Sequence, residues 1–114
     1  MAKILSLFLF ILFIHCFTDK IQLKGSVEED RKTLLKHIPI GSSIPEAIRI
    51  LKQNDFECSI IEKGEFLEER NINFIYCNHY EMVGLFISRR WQIAILLKKE
   101  KVDDIHLTTG LLGP

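Results

Sequence analysis

Two cysteines carry the chemistry this sequence states most plainly. Cys58 lies in an alternating run, where Phe56, Cys58 and Ile60 interleave with Glu57 and Ser59. Cys77 lies in a second run, Ile72 to Asn78, rich in branched and aromatic residues. Both runs read as strands. If they pair antiparallel with Cys58 opposite Cys77, opposed residue numbers sum to 135, so Ile60 meets Ile75 and Ser59 meets Tyr76. Apolar side chains then share one face, as a half-buried sheet requires. A Cys58–Cys77 disulfide belongs to an oxidising compartment, and by the loop-entropy relation it is worth about 3 kcal/mol. The rival chemistry is a metal held by Cys77 and His79. Two Cys and one nearby His do not make a four-ligand set at zinc spacing, so neither a metal nor a cofactor is expected.

The remaining reactive side chains do not assemble into a catalytic pattern. His37 falls at a helix end, where an interaction with the helix dipole accounts for it. His79 follows a strand, and His106 alternates with Ile105 and Leu107, so it faces solvent. Glu65, Glu68 and Glu69 read as a solvated loop. The sequence has no nucleophile elbow, phosphate-binding glycine loop or HExxH helix. An enzyme is not expected. The most suggestive surface feature is Arg89-Arg90-Trp91, because Arg and Trp are enriched at binding hot spots. The alternative places Trp91 in the core with both arginines at its rim. Tyr76, Tyr80 and Phe74 can share the uncovered face of the sheet, which makes that face the candidate binding surface.

These residues must be positioned by a small framework. The chain has 114 residues, with 15 basic and 15 acidic side chains and no formal net charge. That balance argues against a nucleic-acid partner. The hydrophobic content of 47% is unevenly spread: residues 1–18, MAKILSLFLFILFIHCFT, hold four of the eight Phe. Lys3 precedes an apolar run from Ile4 to Ile14 broken only by Ser6. Such a run is shorter than the roughly 20 residues a membrane-spanning helix needs and fits the apolar part of an export signal. Cleavage after Thr18 would start the chain at Asp19. Lipidation at Cys16 is a second possibility, although His15 stands where a lipobox has a small residue. An uncleaved anchor formed by residues 4–17 is a third, and would be the chain's one link to a membrane. The expected organisation is a signal segment at 1–18 and one domain at 19–114.

Ser26 and Glu29 form a capping box that opens a helix. Glu28, Glu29 and Asp30 sit in its first turn and Lys36 and His37 near its end, as the macrodipole favours. Val27, Leu34, Leu35 and Ile38 mark its apolar side, and Pro39 ends it. A second capping box, Ser43 with Glu46, opens another helix with Pro45 in its first turn. Its stripe is Ile44, Ala47, Ile48 and Leu51, and Asn54-Asp55 closes it. Strands follow at 56–62, 72–78, 90–98 and 102–108. A turn is expected at Gly64, a charged loop at 66–71, a polar turn at Lys99–Lys101 and an irregular tail from Gly110. Residues 79–89 are ambiguous. The predicted fold class is α+β: a helical hairpin packed on a four-stranded antiparallel sheet, preceded by a signal helix.

The segment Ile40-Gly41-Ser42-Ser43-Ile44-Pro45-Glu46-Ala47-Ile48, followed by Leu51 and Phe56-Glu57-Cys58, resembles the helix entry and first strand of the beta-lactamase-inhibitor-protein family. The same arrangement occurs in small outer-membrane assembly lipoproteins. Trp91-Gln92-Ile93-Ala94-Ile95 and Val102-Asp103-Asp104-Ile105 resemble their last two strands. The resemblance covers residues 34–114 and implies a two-helix, four-strand module; it transfers no partner-binding residue. Together these readings lead us to expect a small exported protein of the cell envelope or the secreted fraction that acts through protein contacts. The alternatives are an inhibitor that blocks an enzyme with its sheet face, and a signal-anchored membrane protein.

Overall fold

A computed structural model describes residues 20–113. The expected signal segment and Cys16 lie outside these residues. Two helices, α1 (Val27–His37) and α2 (Ile44–Gln53), precede four strands: β1 (Glu57–Phe66), β2 (Glu69–Met82), β3 (Ser88–Lys98) and β4 (Lys101–Leu112). The strands form one antiparallel meander in the order β1-β2-β3-β4. The fold is α+β.

Local chemistry sets the helix ends. Ser26 and Ser43 adopt extended backbone, and their hydroxyls accept from the Glu29 and Glu46 N–H groups. These are the N-cap bonds that satisfy otherwise orphaned donors. The C-cap Ile38 N–H returns to the Leu34 carbonyl, and Pro39 follows. Asn54 caps α2 and also ties down the lead-in. Its Oδ1 accepts the Ile21 N–H at 2.8 Å while its Nδ2 donates to the Ile50 carbonyl.

Both helices cover one face of the sheet. Leu34 from α1, Ile38 at its C-cap, and Ala47 and Leu51 from α2 are fully buried against Ile75, Cys77, Trp91, Ile93, Ile95, Val102, Ile105 and Leu107. Val27, expected on the apolar side of α1, is exposed, because the first turn of α1 buries Asp30 instead. The connector between the helices joins the sheet edge. Gly41 N–H donates to the Val102 carbonyl at 2.8 Å, and Val102 N–H donates to the Ser42 carbonyl at 2.9 Å.

The register of β1 and β2 is the one the cysteines imply. Cys58 pairs with Cys77, Ser59 with Tyr76 and Ile60 with Ile75, and the disulfide is formed. Three boundaries differ from expectation. The turn after β1 falls at Leu67-Glu68 rather than at Gly64, so most of the charged stretch 66–71 lies within strands. Gly64 instead sits inside β1 between two register shifts. A Cβ there would lie 2.5 Å from Ile61 Cγ2 and 3.2 Å from Phe74 Cε1, so this glycine permits a close approach. At the other end, the ambiguous stretch is a hairpin: β2 runs to Met82 and β3 resumes at Ser88. Gly110, Leu111 and Leu112 pair with Arg90, Arg89 and Ser88 and thus extend β4, where an irregular tail was expected.

Candidate functional site

The five surface residues singled out from the sequence divide between the two faces of the sheet. Alternation along β3 sends Arg89 and Trp91 toward the helices and Arg90 to the uncovered face, which it shares with Tyr76 and Tyr80. Trp91 is 1% exposed. It therefore does not stand at the surface, and its indole N–H donates to Asp30 Oδ2 at 2.8 Å. Arg89 lies across the backbone of Gly25, whose φ is +92° and where a Cβ would come within 2.8 Å of Arg89 Nε. Arg89 also donates to Thr109 Oγ1 at 3.4 Å.

Asp30 is the residue sequence reasoning misses. Its acidic neighbours in the first turn of α1 suggest a solvated dipole partner, yet it is fully buried. Oδ1 accepts the Lys24 N–H at 2.7 Å, and Oδ2 accepts those of Gly25 at 2.9 Å and Trp91. A buried carboxylate is costly unless hydrogen bonds satisfy it; here three donors do so. The arrangement ties residues 24–25 to β3. His79 lies nearby, with its ring 4.5 Å from Phe56 and 5.5 Å from Trp91, and its Nε2 is 3.1 Å from Glu81 Oε1.

The uncovered face has an apolar and a polar half. In the apolar half, Phe66, Phe74 and Ala94 are buried, with Ile61, Ile72, Tyr76 and Leu96 packed around them. The irregular β1 passes close over Phe74 at Gly64 and closes this half without a helix. The polar half is a connected row. Gln92 Nε2 donates to Tyr76 Oη at 2.7 Å, Tyr76 donates to Asn78 Oδ1 at 3.2 Å, and Arg90 donates twice to the same Asn78 oxygen. The Arg90 guanidinium also stands over the Tyr80 ring at 5.5 Å. These side chains are engaged with each other.

At the β4 edge, Asp104 bonds Arg31 and the Ile105 N–H, and lies 3.2 Å from His106 Nε2. Burial alone would raise its pKa, but Arg31, the Ile105 N–H and His106 outweigh that effect and hold the carboxyl below its usual value. Arg31 Nε donates to the Ile105 carbonyl at 3.0 Å, so this cluster fastens α1 to the sheet edge. His106 faces away from the helices, as its alternation implies. His37 occupies the last turn of α1. Among the described residues, no group of three or more His, Cys, Asp or Glu side chains converges in a way that could hold a metal.

Exposed apolar side chains concentrate at the β2–β3 hairpin end. Of the twelve exposed large hydrophobic residues among those described, eight lie here: Tyr80, Met82, Val83, Leu85, Phe86, Ile87, Leu111 and Leu112. Leu85 is 84% exposed, and Met82 and Phe86 are each 69% exposed. The loop closes through bonds from the Val83 and Gly84 N–H groups to the Ile87 carbonyl, so its backbone has a defined shape.

No family model, curated protein or solved structure matches this chain. Its function is therefore read from these surfaces.

The hairpin does leave a signal in the sequence. Met82 to Ile87 is six nonpolar residues with no alternation. A two-faced strand cannot bury such a run on one side.

Proposed function

We propose that this chain is a small exported module of the envelope or secreted fraction that acts through contacts and carries out no reaction. The observation that carries the reading is the apolar hairpin end. A contiguous exposed apolar surface of this kind marks an interaction site, whereas three of the less exposed titratable groups are engaged in structural bonds: Asp30 with Trp91, Asp104 with Arg31, and His79 beside Glu81. The disulfide supports an oxidising compartment, and the apolar run of residues 4–14 supports export.

An enzyme inhibitor working through the sheet face is the weaker alternative. The apolar half of that face is closed and the polar half is internally bonded, so a target would meet few free groups. The likeness to the beta-lactamase-inhibitor-protein and assembly-lipoprotein modules stands as a proposal about the fold alone.

Peptide mapping of the protein after cell fractionation tests this reading. The expected form starts at Asp19, or retains residues 1–18 in a membrane fraction, and has Cys58 joined to Cys77. A cytosolic form with an intact Met1 and free thiols would overturn it.

A further inference from the structure

Three features of the hairpin end point to what covers it. First, its apolar surface is not one-sided. Met82 and Leu112 point to the uncovered face of the sheet, Leu111 to the helix face, and Leu85, Phe86 and Ile87 project from the loop between them. A protein partner with a flat surface would cover one side only, while a medium that surrounds a projecting loop covers all of them.

Second, the described chain begins at this end of the molecule. Ile21 is bonded to Asn54, two residues before Phe56, whose ring contacts His79, three residues before the end of β2. Gly25 lies against Arg89, one residue after the start of β3. The first described residues therefore lie on the side from which the hairpin projects.

Third, charge is graded along the same axis. Residues 82–87 carry none, while Arg89, Arg90 and the exposed Glu81, which pairs with Arg89, stand at the base of the hairpin and exposed Lys20 and Lys24 lie on the lead-in, a basic excess of three. An apolar tip with basic residues set behind it matches a bilayer, whose hydrocarbon accepts the tip and whose anionic headgroups meet the cations.

From these observations we infer that the Met82–Ile87 hairpin is a membrane-contact element that inserts its tip into the interfacial region of a lipid bilayer. The domain then rests on the bilayer with its β1–β2 turn directed away. Among the described residues no helix is long and apolar enough to cross a membrane, and a shallow wedge does not require one. The inference goes beyond the proposed function by naming the partner, a lipid surface, and it holds whether residues 1–18 are retained or removed.

The test uses the full chain with vesicles of equal parts phosphatidylglycerol and phosphatidylcholine, the latter brominated in its acyl chains. Phe86→Trp reports on the tip. Leu67→Trp, at the exposed β1–β2 turn on the opposite end, reports on a surface that does not touch lipid. The native Trp91 is buried and adds a constant background. The expected result is a loss of Phe86→Trp emission by about twofold on brominated vesicles, with Leu67→Trp unchanged. Equal quenching of both variants, or of neither, would overturn the inference. So would Phe86→Trp emission already shielded from iodide without lipid, since residues 1–18 or a second copy would then cover the tip. Failure here leaves the fractionation result untouched, so the two readings fail separately.

Discussion

Asp30 and Trp91, 61 residues apart in the chain, meet in the interior through a 2.8 Å hydrogen bond from the indole N–H to a carboxylate oxygen. The same carboxylate holds the backbone of Lys24 and Gly25. One side chain thus secures the entry to α1, α1 itself and the central strand β3. Asp30→Ala leaves three donors without their acceptor, and the expected cost is about 3 kcal/mol. Trp91→Tyr, which retains a large aromatic but loses the indole donor, leaves the carboxylate two of its donors and is expected to cost less. Urea denaturation of both variants checks the order; a milder effect for Asp30→Ala would show that the carboxylate is dispensable.

The disulfide joins directly opposed residues of β1 and β2. Cys58→Ala combined with Cys77→Ala is expected to lower the unfolding free energy by about 3 kcal/mol through the entropy of the unfolded chain. Thermal unfolding followed by circular dichroism, with and without a reductant, measures it. The double variant should be indifferent to reductant.

Glycines give a matched comparison. Gly64→Ala places a methyl group against Ile61 and Phe74, and overpacking of this kind is expected to cost about 1–3 kcal/mol. Gly110→Ala meets nothing within 4 Å and should be close to neutral. Chemical denaturation midpoints for the pair distinguish a close-packed glycine from a tolerant one.

The turn between β3 and β4 consists of Lys99 and Glu100 at φ 53° and 64°. Two-residue hairpin loops with both residues at positive φ favour Asn-Gly. Lys99→Asn with Glu100→Gly is expected to raise stability by about 1 kcal/mol, visible as a higher melting temperature.

Asp104 sets an acid limit. Its folded pKa lies below the ordinary value, so the unfolded state takes up a proton first as pH falls. The stability it contributes is complete above the unfolded carboxylate pKa, about 3.9, and is lost as pH falls through the lower folded value. Arg31→Ala removes the principal partner and should flatten this acid-side loss. Urea midpoints measured between about pH 2 and pH 6 read the slope.

The legible parts of this molecule are those encoded by neighbours in sequence. Ser26 and Ser43 mark their helices through capping geometry that spans one turn, and the Cys58–Cys77 register follows from strict alternation. Asp30 is illegible because its role depends on Trp91, which only the finished fold brings near. Gly64 resembles a turn glycine locally; its close approach to Phe74 depends on the irregular pairing of β1. The hairpin 79–89 is ambiguous because its apolar run has no buried side to betray a period. Arg89, Arg90 and Trp91 are adjacent in sequence, but strand alternation leaves only Arg90 on the uncovered face with Tyr76 and Tyr80 and sends Arg89 and the buried Trp91 to the other.

The bonds that hold the helices also impose an order of events on folding. Asp30 requires Trp91, the helix connector requires Val102, and Arg31 requires Asp104 and Ile105. None of these can form until residues 91–105 have left the ribosome. Long-range closure of this sort is slow compared with local helix formation. During synthesis the amino-terminal half therefore lacks its tertiary partners, and the chain remains threadable until late.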